Sequence, residues 1–506
     1  MRLRDDLPPT PFKFKRGESE DAIPFTGDAN QPQAAVWWTK KQVLEANGLA
    51  YAPGKIFLGR VDDRMIGLRD NRHVVTVAGS RGGKSASLLI PNLKLYPESA
   101  LVIDPKGELA RETAEYRSRV LGHDVHVLDP WNVTGLPNEL RRTFDPIGEL
   151  LADRANLIDN ADLIADALII PSGGDQHWSD AARALLRSLI LWLALSPGEG
   201  LTLSYLPQLL AGLASEKTKS EGGRDSLLDQ LAEMDITESD PDTREAMAII
   251  RSQAAMMLGT ADRERSSIYS SARTQLAFLE SPALAANLQP SPLRLRDLKR
   301  RRTTIYLCMP ATRMSTHNRW LRMIVNLAVA ALEDAPTRKD DSGEDVDPVL
   351  FVLEEFAALG HMEALEKAVA YLGGFGVKLW AVLQDLTQLQ RHYKDSWETF
   401  LANAGVLQAF SVSDLTTCKY LSERMGETTF QITNKVDVNA DQSLKGDIGL
   451  RREFKTAPLL TPDELAIKFA RVPDGKGGMK GGLALVLVAG TRPFIVDRVF
   501  HKELVE

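Results

Sequence analysis

The residues best suited to chemistry lie in the stretch "AGSRGGKSAS", which occupies positions 78 to 87. Their spacing is that of a P-loop, with Ala78 in the position of the first glycine. In such loops backbone N–H groups bind the β-phosphate, and glycines let the backbone approach it closely. Lys84 would reach the β- and γ-phosphates, and the hydroxyl of Ser85 would be a Mg²⁺ ligand. The stretch therefore predicts a nucleoside triphosphate site.

The segments on either side of this loop agree with that interpretation. The β-branched run "HVVTV" (73–77) predicts a buried strand before it, and the apolar "LLIPNL" (88–93) predicts a helix whose positive end faces the anion. Pro91 is expected to limit or kink that helix, since it lacks an N–H. The alternative is a glycine-rich turn that happens to precede Lys-Ser. The residues predicted to bind the nucleotide are Gly79, Ser80, Arg81, Gly82, Gly83, Lys84, Ser85 and Ala86.

A pair of adjacent carboxylates follows the apolar run in "PVLFVLEEF" (348–356). The run predicts a buried strand that ends at Glu354 and Glu355, and ligands bind at the carboxyl ends of central strands in open α/β sheets. One carboxylate can order the Mg²⁺ shell while the other polarises the attacking water. The alternative is a strand running into a helix whose first turn favours acids. The order of loop and acidic pair predicts an ATP-hydrolysing enzyme.

Composition and charge exclude several classes of protein and of binding site. The chain has 506 residues, enough for two or three domains, and a net charge of −7, so any nucleic-acid binding must use a local basic surface. Cys308 and Cys418 are its only cysteines, which excludes a disulfide framework and a four-cysteine zinc site and suits a reducing cytosol. The longest apolar run, "LILWLAL" (189–195), falls short of the ~20 residues that span a bilayer. We expect a cytoplasmic chain without a transmembrane segment.

Apolar runs typical of strands occur in two blocks, separated by a long region of helical patterns. This order predicts an α/β fold with a doubly wound, mainly parallel sheet that is interrupted by an all-α insertion. The predicted strands lie at 74–79, 100–106, 125–130, 303–310, 348–356, 377–385 and 405–413, and a hairpin is predicted at 483–500. The predicted domains are an N-terminal arm (1–50), a nucleotide-binding domain in two parts (51–149 and 299–506) and the insertion (150–298).

Several segments together resemble the type IV secretion coupling proteins of the VirD4/TraG group, in order over about residues 50 to 500. The segments that carry the resemblance are "GSRGGKSASLLIPNL", "ALVIDPKGEL", "FDPI", "HWSDAARALLRSLIL", "VLFVLEEFAALG", "LQDLTQLQRHY" and "GTRPFIVDR". The resemblance implies a RecA-like P-loop ATPase core that uses ATP and Mg²⁺, with an inserted all-α domain. It also implies ring assembly, usually hexameric, with a monomer in the absence of DNA as the alternative. The implied activity is delivery of relaxase-bound DNA or effector proteins to a secretion channel.

The resemblance also implies roles for individual residues. Lys84 matches the phosphate-binding lysine, Ser85 a Mg²⁺ ligand, and Glu355 the catalytic glutamate. Gln384 matches a residue that senses the γ-phosphate, although a polar residue capping a strand is the alternative. Glu354, a predicted metal ligand, stands where the family commonly has aspartate, so its carboxylate is displaced by about one carbon–carbon bond.

A second departure concerns the membrane. Members of the group typically begin with two transmembrane helices, which are not visible in this sequence. We therefore expect docking at the inner membrane through partners, by way of the arm with its "FKFKR" (12–16) and "VWWTKK" (36–41) segments. Asp104 and Lys106 in "DPKGE" match a signature beside the nucleotide without an assigned step.

DNA contact is predicted least sharply. The most basic run, "RLRDLKRRR" (294–302), could contact phosphates without sequence preference, or could be a solvated loop or subunit rim. No arginine finger is identifiable, so we expect one to be supplied by a neighbouring subunit. Three functions stay open: a coupling ATPase, a HerA/FtsK-like cytoplasmic DNA translocase, and a nucleotide-gated adaptor with low turnover.

Overall fold

The computed structural model describes residues 13–14, 37–170, 176–196, 201–215, 226–237, 240–436, 449–473, 475 and 481–505. Most of the predicted arm, including all of "FKFKR" except Lys13 and Phe14, lies outside these residues. The chain divides into two compact units. Unit 1 comprises Met1–Pro97 and Trp380–Glu506, and unit 2 comprises Glu98–Leu379.

Both strands and α-helices occur along the described part of the chain. In chain order, the strands are β1 (Lys13–Phe14), β2 (Ile56–Val61), β3 (Arg64–Leu68), β4 (His73–Ala78), β5 (Ala100–Asp104), β6 (Asp124–Leu128), β7 (Thr303–Cys308), β8 (Val349–Leu353), β9 (Val377–Leu383), β10 (Ala404–Phe410), β11 (Glu427–Val436), β12 (Gly449–Pro458), β13 (Leu483–Val488), β14 (Phe494–Asp497) and β15 (Leu504–Val505). The α-helices are α1 (Lys40–Glu45), α2 (Ile90–Leu95), α3 (Glu108–Arg119), α4 (Pro146–Ala152), α5 (Leu157–Leu168), α6 (Gln176–Leu195), α7 (Leu206–Ser215), α8 (Leu227–Ala232), α9 (Pro241–Gly259), α10 (Asp262–Leu276), α11 (Pro282–Asn287), α12 (Asp297–Arg300), α13 (Met314–Glu333), α14 (Glu363–Ala368), α15 (Thr387–Tyr393), α16 (Glu398–Ala402), α17 (Leu415–Met425) and α18 (Pro462–Lys468).

Unit 1 contains a mixed sheet with the strand order β3-β2-β14-β13-β10-β4, followed by the residues of β9 that belong to this unit. Strands β10, β4 and β9 run parallel, and the strands from β13 to β3 are antiparallel to their neighbours. The predicted C-terminal hairpin is confirmed as β13 and β14, with Leu485 opposite Ile495. Strands β11 and β12 form a separate antiparallel pair, as do β1 and β15.

The parallel strands of unit 1 are apolar on both faces because both faces are covered. Every residue of β4 and β10 is buried. Two polar side chains among them have partners: the indole N–H of Trp380 donates to Thr76 Oγ1 at 2.9 Å, and Gln408 Nε2 donates to the carbonyl of Leu58 at 2.7 Å. These bonds tie the centre of the sheet together, since a buried polar group without a partner would destabilise it.

Unit 2 contains a parallel sheet with the strand order β8-β5-β7-β6. Every described element between β6 and β7 is helical, so the predicted all-α insertion is confirmed. Within unit 2, α5 packs against α6 and α13, and α6 also packs against α9 and α10. Helix α13 follows β7 after a short 3₁₀ turn, Ala311–Arg313, and Arg319 in it donates to the carbonyl of Leu168 at 2.9 Å. The insertion is therefore anchored on a helix of the α/β core.

A helix that crosses a bilayer needs about 20 consecutive, predominantly apolar residues. Within the described part of the chain, no helix is both long and apolar enough to cross a membrane.

Candidate nucleotide site

The predicted phosphate loop leaves the carboxyl end of β4 in unit 1 and leads into a helix. Gly82 N–H donates to the carbonyl of Gly79 at 3.0 Å, which closes a tight turn. The helix opens with a π-helical turn, Ser85–Leu89, in which the N–H of Ile90 donates to the carbonyl of Ser85. Pro91 was expected to limit or kink this helix, and it stands where the π-helical turn passes into α2, so the hydrogen-bonding pattern changes at the residue that lacks an N–H.

Three glycines of the loop are each required by a different constraint. A Cβ on Gly79 would lie 2.2 Å from the carbonyl oxygen of Ser411, and one on Gly82 would lie 2.8 Å from the carbonyl oxygen of Gly79. Gly83 has φ +83°, in the left-handed region that glycine alone adopts without strain. Arg81 adopts φ 56° although it has a side chain, at a strain of about 1–2 kcal/mol. The loop conformation is thus enforced by sterics.

Lys84 and Ser85 follow at the start of the helix, with 5% and 8% of their surfaces exposed. Ser87 Oγ donates to the carbonyl of Gly83 at 2.8 Å and its N–H donates to the same oxygen at 2.9 Å. These two bonds fix the junction between loop and helix. Lys84 and Ser85 are therefore held by a rigid backbone.

Gln384 lies beside this loop within unit 1. It follows β9, whose last residue Leu383 stands opposite Val77 in the parallel pairing with β4. The N–H of Gln384 donates to Gln388 Oε1 at 3.0 Å, and the carboxylate of Asp385 accepts from the N–H of Gln388 at 3.1 Å. The side chains of Gln388 and Asp385 thus cap the backbone of this turn.

Glu354 and Glu355 follow β8 in unit 2. Glu354 is 2% exposed, whereas Glu355 is half-buried and has φ 57° and ψ 45°. A non-glycine residue in this region stores about 1–3 kcal/mol of strain, and such residues cluster at functional sites. Only a short 3₁₀ turn, Phe356–Leu359, follows the pair. Glu355 is the N-cap residue of that turn, so the pair precedes a 3₁₀ helix and does not begin an α-helix.

Asp104, from the "DPKGE" segment, stands next to Glu354 in the sheet of unit 2, because Ile103 pairs with Leu353. Its carboxylate accepts from the N–H of Glu108 at 3.0 Å and from the N–H of Ala110 at 2.8 Å, and so holds the start of α3. Burial raises the pKa of Asp104 to about 6, against the effect of these backbone donors. The segment therefore has a structural task at the carboxyl end of β5.

The predicted metal ligands, the hydroxyl of Ser85 and the carboxylate of Glu354, are oxygen donors that suit magnesium. No cluster of three or more acidic, histidine or cysteine side chains that could hold a metal occurs among the described residues. Mg²⁺ prefers oxygen ligands and usually takes only one or two from the protein, with waters and phosphates completing the shell. A serine hydroxyl and a carboxylate are donors of that kind.

The basic run 294–302 is largely engaged within unit 2. Lys299 donates to the carbonyls of Leu332 and Ala335, a position that leaves its side chain buried. Four arginines of the run also contact groups of this unit: Arg294 the carbonyls of Ser291 and Leu293, Arg296 the carboxylate of Asp153, Arg301 those of Asp124 and Asp297, and Arg302 that of Glu98. Much of the run's charge thus serves internal pairing.

Two contacts to the phosphate loop were not predicted from the sequence. Ser411, at φ 53°, directs its carbonyl at Gly79, and Arg498 donates to the carbonyl of Gly82. Both partners are remote in sequence. The only signal was the inclusion of Arg498 in "GTRPFIVDR", where a basic residue closes an apolar strand.

Comparisons with known proteins agree with the motifs. The family model described as "Type IV secretory system Conjugative DNA transfer" matches residues 33–501. A conjugal transfer protein TraG of Escherichia coli is 26% identical over 506 residues, covering 92% of this chain and 76% of the relative. A VirD4 protein of Rhizobium rhizogenes is 26% identical over 444 residues, covering 84% of this chain and 58% of the relative. The chain thus spans only part of the length of these relatives.

Solved structures of the plasmid coupling protein TrwB share the fold. TrwB in complex with the non-hydrolysable ATP analogue ADPNP has a TM-score of 0.58 at 16% identity, covering 94% of this chain and 97% of TrwB. An unbound monoclinic form of TrwB has the same TM-score and identity, with 92% and 94% covered. At such identity the likeness establishes the fold, and the predicted RecA-like core is confirmed. Because the family model matches most of its length, this chain belongs to the type IV secretory system conjugative DNA transfer family, as a coupling protein with a P-loop NTPase core and an inserted all-α domain.

Proposed function

We propose that this chain hydrolyses ATP to recruit relaxase-bound DNA, effector proteins or both, and to deliver them to a type IV secretion channel. The observation that carries the proposal is a sterically enforced phosphate loop within a chain that the conjugative DNA transfer family matches over residues 33–501. The binding of ADPNP by TrwB, a protein of the same fold, supports ATP as the nucleotide.

Each chemical group has a proposed role. The loop from Gly79 to Ala86 binds the phosphates, with Lys84 on the β- and γ-phosphates. Ser85 and Glu354 would hold Mg²⁺, which would neutralise phosphate charge when bound. Glu355 would accept the proton of the attacking water, and Gln384 would sense the γ-phosphate, since it follows the strand next to the loop's own strand.

We also propose a role for each of the larger regions of the chain. We assign substrate recruitment to the all-α insertion (150–298), nucleotide binding to 51–149 and 299–506, and docking at the inner membrane through partners to the arm (1–50). A homo-hexamer would let a neighbouring subunit supply an arginine to the transition state. DNA would be bound through its phosphates without sequence preference.

The direct test measures ATP turnover of the purified full chain with and without DNA. Lys84→Ala should lower turnover at least ~100-fold, and Glu355→Gln should lower it similarly while ATP stays bound, because only the proton acceptor is lost. Matched controls are Lys419→Ala, an exposed lysine in unit 1, and Glu344→Gln, an exposed glutamate in unit 2. The same variants are then scored for DNA transfer from donor cells that lack the native gene.

Two results would contradict the proposal. Undiminished turnover in Glu355→Gln would assign the base elsewhere. Undiminished DNA transfer in Lys84→Ala would show that nucleotide hydrolysis does not drive delivery.

A further inference from the structure

A buried arginine lies against the phosphate loop, outside the residues that the proposed mechanism uses. Arg498 follows β14 and is 3% exposed. Its Nη1 donates to the carbonyl of Gly82, and its Nη2 donates to the carbonyl of Gly481 at 3.3 Å. Its guanidinium carbon lies 4.6 Å from the ring centre of Phe410, a cation–π distance. The side chain is thus held on three sides by elements of unit 1.

The position of this arginine follows from the strand order. Strand β14 is antiparallel to β13, which is antiparallel to β10, and β10 is parallel to β4. The carboxyl ends of β14 and β4 therefore lie at the same edge of the sheet. Arg498 and the phosphate loop leave the sheet together although 416 positions separate Arg498 from Gly82.

The charge of Arg498 has no acidic counterpart among the described residues, since none of their carboxylates forms an ion pair with it. Burial lowers the pKa of Arg498 to about 10, so the guanidinium stays protonated at neutral pH. A buried cation without a carboxylate partner destabilises the fold. An anion bound at the adjacent loop would offset that penalty.

The contact with Gly82 also sets the direction of a neighbouring donor. The carbonyl of Gly82 and the N–H of Gly83 belong to one trans peptide plane, in which they point in opposite directions. Holding that carbonyl against Arg498 turns the N–H of Gly83 to the other side of the loop. The N–H groups of P-loops bind phosphate on that side.

We propose that Arg498 is a positioning residue for the phosphate loop. Its contact with Gly82 aims the N–H of Gly83 at bound phosphate, and its own positive charge stabilises the negative charge of that phosphate. The proposal rests on the proposed function, in that the loop binds a nucleoside di- or triphosphate. Two neighbours agree with it. A Cβ on Gly482, at φ +122°, would lie 2.4 Å from Arg498 Nη2, so glycine keeps the space for the guanidinium. His501 Nδ1 lies 3.2 Å from the carbonyl of Ala86, at the far end of the loop.

The test is calorimetric titration of the full chain with ADP and Mg²⁺, together with urea unfolding of the nucleotide-free chain. Arg498→Gln should weaken ADP binding at least about tenfold, as expected for loss of a charge-assisted bond. Arg498→Lys keeps the charge but lacks the planar fork that reaches both carbonyls, so it should recover only part of that loss. Gly482→Ala keeps the arginine but displaces it, and should weaken ADP binding to a similar degree as Arg498→Gln.

A control separates nucleotide binding from stability. Arg117 is another fully buried arginine, in unit 2, whose Nη2 donates to the carbonyl of Glu98. Arg117→Lys should lower stability and leave ADP affinity within about twofold of wild type. In steady-state turnover, Arg498→Gln should raise KM for ATP while kcat changes less than about threefold, because the contact is made before and during the reaction.

The outcomes are decisive in both directions. ADP affinity within twofold of wild type in Arg498→Gln would overturn the inference. If that variant does not fold, Arg498→Lys and Gly482→Ala carry the test, and wild-type affinity in both would overturn it. Failure of the wild-type chain itself to bind ADP would instead contradict the proposed function, a result that the first titration distinguishes.

Discussion

The phosphate loop of unit 1 and the acidic turns of unit 2 both follow parallel strands, but their backbone conformations are fixed in different ways. The loop is shaped by the absence of side chains: Gly79 and Gly82 are pressed against backbone oxygens that a Cβ would strike. The turns of unit 2 are shaped by side chains, because the carboxylate of Asp104 gathers backbone N–H groups and Glu355 takes a strained conformation without glycine's help.

These two constructions should be sensitive to different perturbations. A loop whose conformation requires the absence of side chains should lose that conformation when any side-chain atom is added, whatever its charge. A turn built by a buried carboxylate should respond to the protonation of that carboxylate, since burial raises its pKa. Steric substitutions should therefore perturb unit 1 most, and pH should perturb unit 2.

The strongest perturbation is expected for Gly79→Ala. Its Cβ would lie 2.2 Å from the carbonyl oxygen of Ser411, so the loop or β10 must shift. We expect a loss of roughly 1–3 kcal/mol in the free energy of unfolding, typical of overpacking, and ADP affinity at least ~100-fold weaker. Urea unfolding and calorimetric titration measure the two quantities.

The matched control for that variant is Gly122→Ala in unit 2. Gly122 has φ +70°, and a Cβ added to it would have open space within 4 Å, so alanine there adds backbone strain without a clash. It should lower stability by about 1 kcal/mol and leave ADP affinity unchanged. Equal ADP affinity in the two alanine variants would show that the contact with Ser411 does not shape the loop.

Only part of this contrast could be predicted from sequence alone. Strands β4 to β10, the hairpin of β13 and β14, the all-α insertion and the loop were predictable because apolar runs and glycine spacing are local signals, whereas β2, β3, β11 and β12 were not predicted. The contacts of Ser411 with Gly79 and of Arg498 with Gly82 could not be predicted, because only the strand order of unit 1 brings these residues to the loop.

Two further features were missed for different reasons. The left-handed backbone of Glu355 contradicts the local preference of glutamate, so no propensity could signal it. The ion pair of Arg301 with Asp124 was missed because its two residues are distant in sequence. A run of basic residues by itself predicts an exposed segment, and only the pairing of β6 with β7 brings the acidic partner to it.

The next perturbation removes the charge of the carboxylate turn by Asp104→Asn. Because the folded-state pKa is raised from 3.8 to about 6, the folded state binds more protons than the unfolded state between these values. The contribution of Asp104 to stability is therefore fully present below pH 3.8 and is lost as pH rises through about 6. Asparagine cannot titrate, so the stability of the variant relative to wild type should rise by roughly 2.5 kcal/mol from pH 4 to pH 7.5.

Urea unfolding of both chains at each pH measures this difference, in which the titrations of all other groups cancel. Asn is expected to be the less stable residue at pH 4, because it replaces one acceptor oxygen by an N–H₂ facing the donors of α3. A difference that does not vary with pH would show that Asp104 is ionised in the folded state throughout, as its backbone donors alone would favour.

The weakest effect concerns the strain at Glu355. A residue with a Cβ in the left-handed region is disfavoured by about 1–2 kcal/mol, and glycine is not, although glycine loses more backbone entropy on folding. Glu355→Gly should therefore be more stable than Glu355→Ala by about 0.5–1 kcal/mol, while both lack the carboxylate and turn over ATP equally slowly. Ala358→Gly, in the right-handed turn that follows, is the matched control and should be less stable than wild type by a similar amount. Urea unfolding at constant pH measures all three. If glycine at position 355 were the less stable replacement, as it is expected to be at position 358, the left-handed conformation would carry no strain and the acidic turn would be relaxed.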